Sequence, residues 1–218
     1  MKYIILAGGK GSRLQEVVSD VPKPMADINN KPFLEYLLNY LYTQNIKEVI
    51  LSVGYKQDVI IDYFGNYFNG INISYSKEDT PLGTGGAIKQ IDFDEAIVIN
   101  GDTFFELDYS KFIEFSKNNK ISLSITNLQN ADRYGAVKCK GDSVIKFEEK
   151  KFYKEAYINT GIYYLKKEIL KNTPNIFSFE EFLEKNIDKL QIKAFKSKGF
   201  FIDIGIPKDY FYAKKVLK

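Results

Sequence analysis

Lys2-Tyr3-Ile4-Ile5-Leu6-Ala7-Gly8-Gly9-Lys10-Gly11-Ser12-Arg13-Leu14 is the stretch that decides the fold. Residues 3–7 are a continuous, β-rich apolar run ended by glycines, the mark of a short buried strand. Outward from it, strand and helix patterns alternate. Phe33, Tyr36, Leu37, Tyr40 and Leu41 recur at helical spacing within 32–45, and Pro32 opens that helix, where its missing N–H costs nothing. Residues 48–53 read as a strand, 57–68 as a helix, 71–75 as a strand, 83–91 as a short helix, 95–99 as a strand and 109–117 as a helix. Such alternation implies a parallel sheet covered on both faces.

Beyond residue 120 the pattern changes. Residues 121–128, 135–139, 143–147 and 157–165 read as strands, with a turn at Gly141-Asp142. Their hairpin-like connections add an antiparallel element. Residues 179–187 read as a helix, 191–195 and 200–204 as strands, and Pro207 opens a last helix to 216. Tyr153-Lys154-Glu155 lies in the lysine-rich stretch 149–155, which reads as a mobile loop. The expectation is one α/β domain over 1–218, with a Rossmann-like, mixed, mostly parallel sheet flanked by helices and a small antiparallel element.

Composition narrows the chemistry. With 218 residues, 44% hydrophobic and 27% charged, the chain can bury a sizeable core, which excludes disorder and small disulfide scaffolds. It contains no histidine, so Ser-His-Asp and Cys-His catalysis and His-ligated zinc are excluded. The single cysteine, Cys139, can form neither an intrachain disulfide nor a cysteine-rich metal site. Lys+Arg 31 against Asp+Glu 28 gives +3, too small and scattered an excess to point to nucleic acid. No apolar run reaches the length of a signal h-region or of the ~20 residues that span a membrane. A cytoplasmic protein without membrane contact is expected.

Three local features could carry chemistry. The glycines at 8, 9 and 11 let backbone N–H groups approach an anion, and Arg13 is one of only two arginines among 31 basic residues. Planar, bidentate phosphate binding is a task lysine performs poorly. The loop is neither a dinucleotide fingerprint nor a Walker A loop, because the last glycine of the one and the glycine-Lys-Ser/Thr end of the other are missing. An ordinary βα turn is the alternative. In Pro22-Lys23-Pro24-Met25 two prolines restrain the backbone around one lysine, and a rigid exposed turn is the alternative. Asp102 and Asp203 each follow an apolar strand, where open α/β sheets place ligands, and Mg²⁺ commonly takes one or two carboxylates plus phosphates and water. A turn residue after Asn100-Gly101 is the alternative for Asp102, and a local hydrogen bond to the turn ahead of the last helix is the alternative for Asp203.

Taken together, the pieces resemble the sugar-phosphate nucleotidyltransferase family, the sugar nucleotide pyrophosphorylases. The matching blocks are 6–14, 22–25, Thr80-Pro81-Leu82-Gly83-Thr84-Gly85-Gly86-Ala87, Asn100-Gly101-Asp102, Phe147-Glu148-Glu149-Lys150, Asn159-Thr160-Gly161 and Asp203-Ile204-Gly205-Ile206-Pro207, in family order. Residues 18–26 and 100–105 are most similar to short bacterial members acting on D-glycero-α-D-manno-heptose 1-phosphate with GTP. Gln15-Glu16-Val17-Val18 and Phe201 depart from the commoner family pattern.

The resemblance implies that an NTP and a sugar 1-phosphate give an NDP-sugar and pyrophosphate, here GDP-heptose for capsule or surface polysaccharide. Nucleotide binding falls to about the first 120 residues and sugar-phosphate binding to the rest. Leu6, Ala7, Gly8, Gly9, Gly11, Ser12 and Arg13 are implied to hold the nucleotide, Lys23 the α-phosphate region, and Gly83, Thr84 and Gly85 the base and ribose. Asp102 and Asp203 are implied to hold Mg²⁺, and Lys150 to anchor the sugar phosphate. Glu149, Asn159, Thr160 and the backbone at Gly135 are implied to bind sugar hydroxyls. The small run at 83–86 offers room for a purine, and Glu78 ahead of it is a candidate acceptor for guanine donors or else a solvated loop acid. The competing readings are a transferase for mannose, glucose or N-acetylmuramate 1-phosphate with GTP, UTP or CTP, and a nucleotide-binding regulatory protein. A homodimer is compatible with 16 Tyr and 17 Phe, which can equally fill the core.

Overall fold

In the computed structural model the chain runs through β1 (Lys2–Leu6), β2 (Asp27–Ile28), β3 (Lys31–Pro32), α1 (Phe33–Thr43), β4 (Glu48–Val53), α2 (Gln57–Phe64), β5 (Tyr67–Phe68), β6 (Ile71–Lys77), α3 (Gly83–Gln90), β7 (Glu95–Asn100) and β8 (Thr103–Phe105). It continues through α4 (Tyr109–Ser116), β9 (Ile121–Ala131), β10 (Val137–Lys140), β11 (Ser143–Phe147), β12 (Tyr153–Lys166), α5 (Phe179–Lys185), α6 (Ile187–Leu190), β13 (Lys193–Lys196), β14 (Phe201–Asp203) and α7 (Pro207–Val216). The described residues are all but Gln15, Asp132, Glu149, Lys150 and Lys151, with the backbone alone at Ser12. They form two compact units, one from Lys2–Pro81, Ile99–Phe105 and Phe200–Lys218, the other from Met1, Leu82–Val98 and Glu106–Gly199.

The first unit carries parallel strands in the order β1-β4-β6, with β5 antiparallel beside β6. Ile4, Ile5, Leu51 and Val53 are fully buried, as strands covered on both faces require. Helix α1 buries Phe33, Leu34, Leu37, Leu38 and Leu41, each contributing roughly 1.5–3 kcal/mol. Pro32 stands just outside α1 as its extended N-cap. Below the glycine loop, Leu14, Ile28, Phe33, Phe104, Ile202, Ile204 and Tyr210 share one apolar cluster. That cluster seats the antiparallel pair β8/β14, in which Thr103 lies opposite Asp203.

The expected helix over 57–68 is shorter. Gly65 leaves the helical region at φ 57° and ends α2, and Tyr67-Phe68 turns back on Ile71-Asn72 as β5. Asn69 and Gly70, both at positive φ, make the two-residue hairpin turn that Asn-Gly favours. Asn29 and Asn30 do the same between β2 and β3.

The second unit orders its strands β10-β11-β13-β9-β12. The pairs β10/β11, β11/β13 and β9/β12 are antiparallel and β13/β9 is parallel. Tyr153-Lys154-Glu155, expected as a mobile loop, opens β12 instead, and Tyr153 pairs with Ala131 and Glu155 with Gln129. Polar composition there reflects an exposed strand face, not a missing partner. The Lys167 ammonium donates to the carbonyls of Lys89 (2.6 Å) and Ile91 at the C-terminal end of α3, and burial lowers its pKa. Among the described residues no helix is long and apolar enough to cross a membrane.

Candidate active site

The glycine loop is held open by backbone bonds on both sides. Ala7 N–H donates to Ser52 O (2.8 Å), and Gly8 O accepts from Tyr55 N–H (3.1 Å). A Cβ on Gly8 would stand 2.7 Å from Glu78 Oε1, so this glycine lets the carboxylate lie against the loop. Glu78 Oε1 also accepts from the buried Ser52 hydroxyl at 3.4 Å. Gly11 sits at φ 62°, and a Cβ there would stand 2.7 Å from Lys23 Cβ. The loop therefore provides the bed on which the Lys23 stem lies. A short 3₁₀ turn, Ser12–Leu14, follows; it buries Leu14 in the core and leaves Arg13 exposed.

Lys23 begins a second 3₁₀ turn, Lys23–Met25. Pro22 caps it in extended conformation, and Pro24 and Met25 are buried, which fixes the backbone from which Lys23 projects. The Lys23 ammonium pairs with Asp102 Oδ2, and its side chain is only 10% exposed. A Cβ on Gly205 would lie 3.5 Å from Lys23 Nζ, so that glycine clears space beside the ammonium.

Asp102 follows Gly101, whose N–H donates to Leu6 O (2.9 Å) and whose Cβ would collide with that oxygen at 2.6 Å. The Asp102 carbonyl accepts from Ile204 N–H (3.1 Å), and Asp203 Oδ1 accepts from Gly205 N–H (2.6 Å). Between the two carboxylates stands the Thr103 hydroxyl, 3.3 Å from Asp102 Oδ1 and 3.5 Å from Asp203 Oδ2. The first unit thus brings together the glycine loop, Lys23, Glu78, Asp102 and Asp203. Two converging carboxylates beside an ammonium suit a hard divalent cation that draws its other ligands from phosphate oxygens and water. Among the described residues no group of three or more acidic, Cys or His side chains gathers as a metal site, so these two would be the protein's share.

The second unit holds the other expected residues. Gly83, at φ 71°, would place a Cβ 2.5 Å from Phe177 O; Gly85 faces the Phe177 ring and Gly86 the Asn175 carbonyl. Gly85 N–H donates to Phe177 O (2.9 Å). The side of this small run on which Cβ atoms would stand is therefore filled by the chain's own 175–177 segment. Thr84 is engaged too: its hydroxyl donates to Glu180 Oε2 (2.7 Å) and accepts from Phe179 N–H (2.8 Å). Asn159 donates to Tyr163 Oη (2.7 Å) and accepts from Gly161 N–H (2.9 Å), at a bulge in β12. Thr160, expected to meet sugar hydroxyls, is fully buried and donates to Ser124 O (3.1 Å), because the bulge turns it into the core. Gly135 is a close approach, its Cβ position 2.7 Å from Glu148 O. Glu149, Lys150 and the Ser12 side chain lie outside the described residues.

Sequence reasoning missed Thr103, Ser52 and the clearance at Gly205. For Thr103 a signal existed: it is the one polar residue in an otherwise apolar run, Thr103-Phe104-Phe105, and it directly follows an aspartate.

Residues 2–218 match the family model described as nucleotidyl transferase. The chain is 51% identical over 218 residues to the D-glycero-alpha-D-manno-heptose 1-phosphate guanylyltransferase of Campylobacter jejuni, covering 97% of this chain and 98% of that one. It is 46% identical over 227 residues to the enzyme of that name from Aneurinibacillus thermoaerophilus, covering 100% and 99%. The crystal structure of HddC from Yersinia pseudotuberculosis complexed with GMP-PN matches it with a TM-score of 0.88 at 42% identity, covering 100% of this chain and 99% of that one.

Proposed function

The chain belongs to the nucleotidyl transferase family, and from that premise we propose that it joins GTP and D-glycero-α-D-manno-heptose 1-phosphate to give GDP-heptose and pyrophosphate. The observation that carries this reading is the Lys23–Asp102–Thr103–Asp203 cluster set beside the glycine loop. A sugar-phosphate oxygen attacks the α-phosphorus; the new P–O bond forms as the bond to the β-phosphate bridging oxygen breaks, and pyrophosphate leaves with the electron pair. The nucleophile is already an anion at neutral pH, so a chain without histidine needs no general base. The task is to neutralise and align two polyanions.

The loop N–H groups at Gly8, Gly9 and Gly11, with Arg13, hold the β- and γ-phosphates. Lys23, released from Asp102, meets the α-phosphate. Asp102 and Asp203 would hold Mg²⁺, which when bound would neutralise charge on the α-phosphate of the nucleotidyl group being transferred. In the second unit, Lys150, Glu149, Asn159 and the backbone at Gly135 and Thr160 serve the sugar phosphate, and the backbone of 83–85 serves the nucleoside. GDP-heptose then supplies capsule or surface polysaccharide synthesis.

One panel tests the substrate pair: the four NTPs against heptose, mannose and glucose 1-phosphates, with pyrophosphate release followed. GTP with the heptose phosphate is expected to give the highest kcat/KM. Preference for UTP or CTP, or no turnover of the heptose phosphate, would refute the pair and leave the reaction class standing.

Glu78 is assigned to the base. Guanine presents an N1–H and an N2 amino group, two donors that a carboxylate accepts together and that adenine lacks. Glu78→Gln keeps the size but loses one acceptor. The preference for GTP over ATP, read as a ratio of kcat/KM values, is expected to fall about tenfold to a hundredfold, on the scale of hydrogen bonds to a charged group. An unchanged ratio would place base recognition elsewhere.

A further inference from the structure

Thr103 belongs to no role given so far, yet its hydroxyl faces the two carboxylates proposed to hold the metal. Each carboxylate has one oxygen engaged by a fixed donor: Asp102 Oδ2 by Lys23, and Asp203 Oδ1 by Gly205 N–H. The other two oxygens, Asp102 Oδ1 and Asp203 Oδ2, both look toward Thr103 Oγ1, at 3.3 and 3.5 Å. A hydroxyl carries one proton and can donate to only one of them at a time. Both distances exceed the usual 2.5–3.0 Å of an O–H···O bond, so the hydroxyl orients the two facing oxygens by its polarity without locking onto either.

The side chain cannot easily turn away. Thr103 is 6% exposed, its β-branch limits χ1, and its backbone is pinned opposite Asp203 in β8/β14. Phe104 behind it packs edge-on against Tyr40 at 5.3 Å.

We propose that Thr103 is a positioning residue: its hydroxyl, by hydrogen bonding, keeps the facing oxygens of Asp102 and Asp203 aimed at one point, where the divalent cation of the metal–nucleotide substrate would be gripped. The proposal rests on the reading of Asp102 and Asp203 as the metal pair. Thr103→Val is nearly isosteric and replaces the hydroxyl by a methyl, keeping the bulk and losing the hydrogen bonding; Thr103→Ser keeps the hydroxyl. A group oriented this way behaves like an outer-shell partner of a metal site, whose loss costs about tenfold to a hundredfold in metal affinity.

The test measures Mn²⁺ binding by electron paramagnetic resonance with a non-hydrolysable GTP analogue, alongside the Mg²⁺ dependence of turnover. Thr103→Val is expected to weaken Mn²⁺ binding by at least about tenfold and to raise half-saturating Mg²⁺ in parallel. Thr103→Ser should stay within about threefold of the parent on both readouts. Should the valine variant not fold by thermal melt, Thr103→Ala carries the same expectation. Asp102→Asn separates the two levels of inference. If it abolishes Mn²⁺ binding while the folded valine or alanine variant binds like the parent, the metal pair stands and the role of Thr103 is overturned. If Asp102→Asn leaves Mn²⁺ binding unchanged, the metal pair itself is wrong and the proposal falls with it.

Discussion

Asp102→Asn is expected to lower kcat/KM by about a thousandfold or more, roughly 4 kcal/mol of transition-state stabilisation, while the protein stays folded. The carboxylate lies at the end of a strand, 30% exposed, and its neighbours hold their positions through the backbone: Gly101 on Leu6, and Ile204 on the Asp102 carbonyl. Asparagine therefore fits the same place. What it removes is the negative charge that accepts Lys23 and that is proposed as one of two anionic arms for a divalent cation. Initial rates of pyrophosphate release with the sugar phosphate varied at fixed, saturating GTP and Mg²⁺ check the size of the effect, and a thermal melt checks the fold. Activity within tenfold of the parent, or full parent activity in excess chelator, would refute the metal-assisted reading.

Lys23→Met should lower kcat by about a hundredfold to a thousandfold, the scale of losing one preorganised charge at the reacting group. It should also disturb the resting protein. Without the ammonium, Asp102 and Asp203 face one another across a single hydroxyl, and the Lys23 bed at Gly11 is left to a neutral chain. A stability loss of about 1–3 kcal/mol follows from leaving a charged acceptor without its donor. In the Lys23→Met/Asp102→Asn double variant much of that loss should return, since no unpaired charge remains, whereas activity should not. Melting temperatures that simply add would show that the pair does not stabilise the resting state.

The parts of this molecule that were legible in the sequence are those in which local pattern and tertiary packing agree. The helical spacing from Phe33 to Leu41 becomes α1, residues 48–53 become β4, and Pro207 opens α7. The reading slipped where a short turn outweighed periodicity: Tyr67 and Phe68 extend the apolar pattern of α2, but Gly65 and Asn69-Gly70 fold them into a hairpin.

At the site, the residue types that carry charge were visible, because Arg13, Lys23, Asp102 and Asp203 stand in recognisable blocks. What the neighbours do with them was not. The glycines at 85 and 86 are small because Phe177 and Asn175 occupy the space, a contact across some 90 positions that no local pattern encodes. The sequence places Thr160 between Asn159 and Gly161 but does not show that a bulge sends its side chain inward. Thr103 gains its meaning only from Asp203, a hundred positions away.

The pairing of β8 with β14 has a consequence for how the molecule comes into being. Translation delivers the chain from its N-terminus at about 5–20 residues per second. A nascent polypeptide emerged as far as residue 199 already owns the glycine loop, Lys23, Asp102 and Thr103, but not Asp203 or the strand that covers β8. In such a chain β8 has no β14 to pair with, and Thr103 has no Asp203 opposite it. The pair of carboxylates proposed to hold the metal is therefore assembled only once residues 201–203 have emerged and paired with β8.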